Sequence, residues 1–175
     1  FGLLMPQKYV KKILDARIYD LAIETPVDAA PLLSKRLNNT VLLKREDLQP
    51  VFSFKLRGAY NKLRQLSKVE RTGGVIAASA GNHAQGLALA AQKMGVDATI
   101  VMPKTTPRIK VDAVRGWGAK VILFGDTYNA AADHANQLVA EEGLTYIHPF
   151  DDPDIIAGQG TVGMEILRQL PGDLD

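Results

Sequence analysis

Between residues 73 and 150 the chain alternates short apolar runs with longer amphipathic stretches, its most regular pattern. Val75-Ile76-Ala77-Ala78, Ala98-Thr99-Ile100-Val101-Met102, residues 120–124 and Thr145-Tyr146-Ile147 read as strands. Between them the spacing predicts helices over 82–94, 107–117 and 128–142. Gly95 closes the first. Thr106-Pro107 offers an N-cap and a first-position proline for the second, which Gly118 stops; Gly125-Asp126-Thr127 caps the third and Gly143 ends it. Strands that are apolar throughout, separated by helices, predict a parallel sheet covered on both faces, with right-handed crossovers.

Outside this region the pattern is less even. Tyr9, Val10, Ile13, Leu14, Ile18 and Leu21 recur at helical spacing after Pro6, predicting a first helix that reaches Leu21 and is broken at Glu24-Thr25-Pro26. A short helix over 28–37, a turn at Asn38-Asn39 and a strand over 40–43 follow. That strand runs into Lys44-Arg45-Glu46-Asp47, which reads equally as a solvated strand end or as a functional cluster. Tyr60, Leu63 and Leu66 give the next helix its buried side. Asp151-Asp152-Pro153 interrupts the chain before a last helix over 155–170. No repeat beyond the strand–helix period and no low-complexity linker is present.

Composition narrows the function. With 175 residues, 46% of them hydrophobic, the chain can bury a core, and a net charge of +2 in interspersed groups offers no basic field for nucleic acid. The absence of cysteine excludes disulfides and thiolate metal sites, and three histidines without carboxylate-rich spacing argue against a metal. The opening Phe1-Gly2-Leu3-Leu4-Met5-Pro6 lacks the basic region of a signal peptide, and no apolar run reaches membrane-spanning length. The expectation is a soluble chain in a reducing compartment, the cytoplasm.

Two stretches carry candidate chemistry. In Ser53-Phe54-Lys55-Leu56-Arg57-Gly58-Ala59-Tyr60, Lys55 lies between apolar neighbours near a helix start. A protonated lysine is a poor nucleophile, and apolar cover that lowers its pKa makes it reactive. Ser79-Ala80-Gly81-Asn82 lies between a strand and a helix N-terminus, beyond the carboxyl end of a parallel strand where ligands bind in such sheets. Its small residues suit a carboxylate or a phosphate, or simply close a tight turn. It is neither the dinucleotide fingerprint nor the Walker pattern.

Together these two motifs resemble the pyridoxal-phosphate enzymes of the tryptophan-synthase-β group (fold type II), and most closely the threonine dehydratases. The resemblance extends from Thr25-Pro26 through Lys44-Arg45-Glu46-Asp47, 53–60, 79–86, Val101-Met102-Pro103 and 110–115 to Ala157-Gly158-Gln159-Gly160-Thr161. It implies an α/β fold, an open parallel twisted sheet with helices on both faces, here truncated. In that family Lys55 corresponds to the Schiff-base lysine and general base, Phe54 packs beside the cofactor, and Asn82 bonds the pyridoxal 3′-oxygen. Ser79, Ala80, Gly81 and His83 correspond to the loop that receives the substrate carboxylate, although His83 reads equally as a structural histidine. His134 and His148 match no catalytic position.

The implied activity is a lyase reaction in isoleucine biosynthesis, in which L-threonine loses water and yields 2-oxobutanoate and ammonia, in a homo-oligomer. A serine dehydratase or serine racemase would use the same motifs. A cysteine or cystathionine synthase fits less well, and a catalytically empty structural or oligomerisation module is the non-enzyme alternative. The resemblance also implies a small domain over 58–155, flanked by 1–57 and 156–175 of a larger cofactor domain. The family's glycine-rich phosphate turn and the serine or cysteine facing the pyridine nitrogen follow the last helix. Residues 171–175 contain neither, so a further stretch or another chain is expected to supply them.

Overall fold

The computed structural model describes residues 4–172. The readings of the opening residues and of the chain's last residues fall partly on 1–3 and 173–175, outside the described residues. In chain order the elements are helix α1 (Leu4–Leu14), strand β1 (Val27–Ala29), α2 (Pro31–Leu37), β2 (Leu42–Lys44), a 3-10 turn (Glu46–Leu48), α3 (Lys55–Gln65) and α4 (Lys68–Gly73). Then follow β3 (Val75–Ala78), α5 (Asn82–Met94), β4 (Ala98–Met102), α6 (Arg108–Gly116), β5 (Lys120–Leu123), α7 (Tyr128–Glu142), β6 (Thr145–Tyr146) and α8 (Pro153–Gln169).

Strands β3 to β6 form the expected parallel sheet, in the order β5-β4-β3-β6. Its two central strands are buried along their whole length, which is why they read as continuous apolar runs. On one face Val75, Ala77, Ile100 and Met102 join Leu87, Leu56, Leu63 and Ile155 in the main core. On the other, Ile76, Ala78 and Val101 pack on Ala131, Ala135 and Leu138 of α7. Each fully buried leucine or isoleucine contributes about 1.5–3 kcal/mol. The chain runs outward from β3 through β4 to β5, then returns to place β6 on the other side of β3. This reversal leaves a crevice beyond the carboxyl ends of β3 and β6, where open α/β sheets bind ligands.

Helix α3 is gripped between α5 and α8 by close backbone approach. A Cβ on Gly86 would stand 2.8 Å from the Leu56 nitrogen, and one on Gly158 would stand 2.5 Å from the Arg57 carbonyl oxygen. Glycine in a helix is ordinarily a liability, so two of the three glycines of α8, Gly158 and Gly163, predict opposite outcomes. Gly163 has open space around it, and Gly163→Ala should stabilise by roughly 0.5–1 kcal/mol. Gly158→Ala must push α3 away and should destabilise by about 1–3 kcal/mol. Urea unfolding of the two variants checks the sign of each.

Four local expectations are corrected. The first helix ends at Leu14, not Leu21, and Ile18 reaches the core from a turn whose Leu21 and Ala22 amides donate to its carbonyl. Long-range bonds hold that turn, with Tyr19 donating to Glu165 and Arg64 donating to Asp20. Over 28–37 the helix begins only at Pro31; Val27–Ala29 instead pair antiparallel with β2, too short a run for a two-residue period to show. Helix α4 has no apolar stripe to signal it, and its start is marked only by the reciprocal capping box of Ser67 and Glu70. Thr106 does not cap α6, whose first flanking residue is Pro107.

Candidate active site

Lys55 is the first residue of α3. The chain before it is held by Gln49, whose side chain exchanges hydrogen bonds with both main-chain groups of Ile23, and by buried Ser53, whose hydroxyl accepts from the Lys55 amide at 3.3 Å. Between them Phe52 adopts φ 55, a left-handed conformation that a phenylalanine holds only when its surroundings impose it. The half-buried Lys55 side chain crosses to the far side of the crevice, where its ammonium donates to the Pro149 carbonyl at 2.8 Å. The Phe54 ring, partly exposed, lies 5.4 Å from that nitrogen.

Lys55 differs from the other half-buried lysine of its helix. Lys62 meets Asp152 at 2.8 Å and Asp154 at 3.6 Å, and these carboxylates overcome the burial that would otherwise lower its pKa, raising it instead. Lys55 makes no ion pair among the described residues, and burial alone lowers its pKa below the ordinary 10.5. A larger share of its amine is therefore neutral at a given pH, which nucleophilic and base chemistry require.

The second motif is tied to the same segment, His83 bonding Ile147 where Lys55 bonds Pro149. Ser79, Ala80 and Gly81 leave β3 half-buried, with the Gly81 amide donating to the Ser79 hydroxyl at 3.3 Å. Asn82, exposed, opens α5, and Gly81 before it supplies no side-chain cap. The first-turn N–H groups of α5 thus face the crevice end of β3 without a side-chain acceptor, an arrangement that receives anions. Helices α4, α7 and α8, by contrast, are capped by Ser67, Thr127 and Asp152. Among the described residues no His, Cys, Asp and Glu group could hold a metal ion, and no helix is long and apolar enough to cross a membrane.

His83 is placed differently from its neighbours. Its ring is buried and its Nε2–H donates to the Ile147 carbonyl at 3.1 Å, just beyond β6. Burial lowers its pKa from 6.5 to about 4, against the hydrogen bond to Ile147 and with help from the Lys55 and His148 charges. The neutral ring is the folded form, so its stabilisation is complete above pH 6.5 and is lost as pH falls toward about 4. His83→Gln keeps an N–H donor but cannot titrate. It should remove about 3 kcal/mol of acid destabilisation across that window, measured as the difference between the two proteins' unfolding free energies at successive pH values.

Sequence reasoning missed two features. Pro149 contributes only a carbonyl, which no side-chain pattern signals. Arg57, Glu46, Lys44 and Glu165 form a buried ion network behind Lys55, so two of the 44–47 cluster turn inward while Arg45 and Asp47 pair at the surface: Lys44 meets Glu165 at 2.7 Å and Glu46 meets Arg57 at 2.7 Å. The charged pattern was visible there, but its partner Glu165 lies far along the chain.

Comparison with known proteins fits this geometry. The family described as pyridoxal-phosphate dependent enzyme matches residues 18–175. The chain is 60% identical over 167 residues to the chloroplastic biosynthetic threonine dehydratase of Arabidopsis thaliana, covering 95% of this chain and 28% of that protein. The processed form of threonine deaminase isoform 2 from Solanum lycopersicum superposes with a TM-score of 0.92 at 54% identity, over 97% of this chain and 47% of that one. Maize serine racemase superposes with a TM-score of 0.89 at 33% identity, over 93% and 50%. The chain thus spans under a third of the curated relative and about half of each solved chain. Match to the family over most of its length, with a fold type II sheet and its crevice in place, makes this chain a member of the pyridoxal-phosphate-dependent enzyme family.

Proposed function

We propose that this chain is the lysine-bearing part of an L-threonine dehydratase, which converts L-threonine to 2-oxobutanoate and ammonia on the route to isoleucine. The observation that carries the reading is Lys55, a half-buried amine without a carboxylate partner that spans the crevice between α3 and the end of β6. Its neighbours suit the family's cofactor: an aromatic ring beside the amine, and a helix N-terminus without a side-chain cap across the crevice. When bound, pyridoxal phosphate supplies an electron-withdrawing ring that takes up the electron pair left at Cα.

The protein's part is position and proton transfer. Lys55 would hold the cofactor and would remove the Cα proton as a neutral amine; such base catalysis contributes about 10²–10⁴-fold. Phe54 would cover the cofactor, and Asn82 would bond its 3′-oxygen. The Ser79 amide is spent on the Val101 carbonyl at 3.1 Å, so the Ser79 hydroxyl and the N–H groups of Ala80, Gly81 and His83 would hold the substrate carboxylate, with the His83 Nε2 committed to Ile147. The β-hydroxyl leaves with a proton as water, and a second water hydrolyses the product to the keto acid and ammonia.

Threonine is favoured over serine because the relatives named for threonine are 60% and 54% identical, against 33% for the serine racemase. Keto-acid release by the full-length protein that contains this chain tests the choice. A higher kcat/KM for L-threonine than for L-serine is expected, and serine racemisation without keto acid would replace the reading. Residues 58–155, which hold the parallel sheet, form the smaller domain; 1–57 and 156–175, joined through the Arg57 and Glu165 network, belong to the larger. A reducing compartment, the cytoplasm, fits the absence of cysteine, while the Arabidopsis relative is named chloroplastic. Amino-acid substrate and further copies of the chain in a homo-oligomer complete the proposed partners, with no nucleic acid and no membrane.

A further inference from the structure

We propose that Arg57 is a positioning residue for Lys55: with Glu46, Glu165 and Lys44 it forms a buried, charge-balanced lock that fixes the first turn of α3 and so the point from which the Lys55 amine reaches the crevice. Arg57 is fully buried and all of its donors are engaged. Its Nε meets Glu46 at 2.8 Å; its Nη1 meets Thr161 at 3.1 Å and Glu165 at 2.5 Å. Its Nη2 meets Glu46 at 2.7 Å, Glu165 at 3.0 Å and the Ile23 carbonyl at 3.1 Å. Glu165, also fully buried, receives Lys44 at 2.7 Å and the Tyr19 hydroxyl at 2.8 Å. Two cations face two carboxylates, so the set is neutral.

The partners belong to the turn before Thr25, to β2, to the 3-10 turn and to α8. Apolar contacts and the Gly86 and Gly158 approaches set how near the neighbouring helices come, and the later part of α3 is pinned by Asn61 donating to the Asp154 carbonyl at 2.7 Å and by Lys62 with Asp152 at 2.8 Å. The first turn, where the Gly58 amide donates to Gln159 at 3.2 Å, is the part whose position the two forked, directional bonds of Arg57 fix. Buried ion sets add little net stability over apolar side chains of equal volume, yet breaking one is expensive, so their effect is on geometry more than on folding free energy. Lys55 lies two residues away in the same helical turn, and its hydrogen bond to Pro149 at 2.8 Å tolerates little displacement. Lysine at position 57 would keep the charge and lose the fork.

The consequence for the reaction rests on the proposed role of Lys55; the lock itself can be tested without it. The full-length protein, freed of cofactor, is labelled with trinitrobenzenesulfonate from pH 7 to 10, and labelling of Lys55 and Lys62 is followed separately by peptide mapping. Lys62, paired with Asp152 and Asp154, is the internal control. His83, at about 4, stays neutral throughout. In Arg57→Lys the midpoint of Lys55 labelling should move up toward 10.5 as its amine gains solvent, and a rise of one pH unit lowers labelling at pH 8 about tenfold. Thr161→Val retains every ion pair and removes one bond to Arg57; it should move the midpoint less, in the same direction. Lys62 should be unchanged in both. Folded variants whose Lys55 profiles superimpose on the wild type would overturn the lock, whereas cofactor found on another lysine would overturn only the role of Lys55.

Discussion

Replacing Lys55 by alanine should abolish threonine turnover by the full-length protein while leaving its unfolding midpoint nearly unchanged. Loss of the base alone lowers kcat by about 10²–10⁴-fold, and loss of the cofactor's attachment adds to that. Stability should hold because Lys55 makes no ion pair among the described residues and its burial disfavours the charge it carries. Lys55→Arg is the sharper variant. It restores the charge, but a guanidinium is not neutral at any accessible pH, so it should be as inactive as alanine. Steady-state assay beside thermal unfolding separates the two effects. Activity within tenfold of wild type in either variant would contradict the assignment.

Glu165→Ala should act in the opposite manner, through stability first. The change leaves Lys44 without a carboxylate and Arg57 with Glu46 alone, all in a site closed to water. In the wild type, burial would raise the Glu165 pKa, but hydrogen bonds from Arg57, Lys44 and Tyr19 outweigh it and hold the carboxyl below the usual 4.5. Its contribution is therefore present above pH 4.5 and is lost only as pH falls below that value. Breaking a buried ion set from one side costs about 3–5 kcal/mol, a large share of a domain's stability. The exposed pair of Arg45 and Asp47 is the control: Asp47→Ala should leave stability nearly unchanged. Urea midpoints at neutral pH report both.

What the sequence disclosed follows from the distance over which each feature is determined. The strands β3 and β4 and the helix α5 were legible because burial on both sheet faces writes an apolar run directly into the chain, and Gly95 marks the helix end locally with φ 65. Lys55 and the Ser79 to Asn82 loop were legible as motifs. That Lys55 and His83 both bond the segment after β6 was not, since it depends on β6 returning beside β3. The end of α1 was hidden because Ile18 is drawn into the core by a turn tied to Arg64 and Glu165, not by any local helix breaker. The role of Lys44 and Glu46 was hidden for the same reason, their counter-charges lying at positions 165 and 57. Pro149 contributes through its backbone oxygen, which every residue has.

The most direct test is reduction with sodium borohydride of the full-length protein loaded with pyridoxal phosphate, followed by peptide mapping. The pyridoxyl label should be found on Lys55 in the peptide containing Ser53 and Phe54, at one per chain, and should be absent from Lys62 and from Lys44. A stoichiometric label on any other lysine, with Lys55 unmodified, would contradict the account.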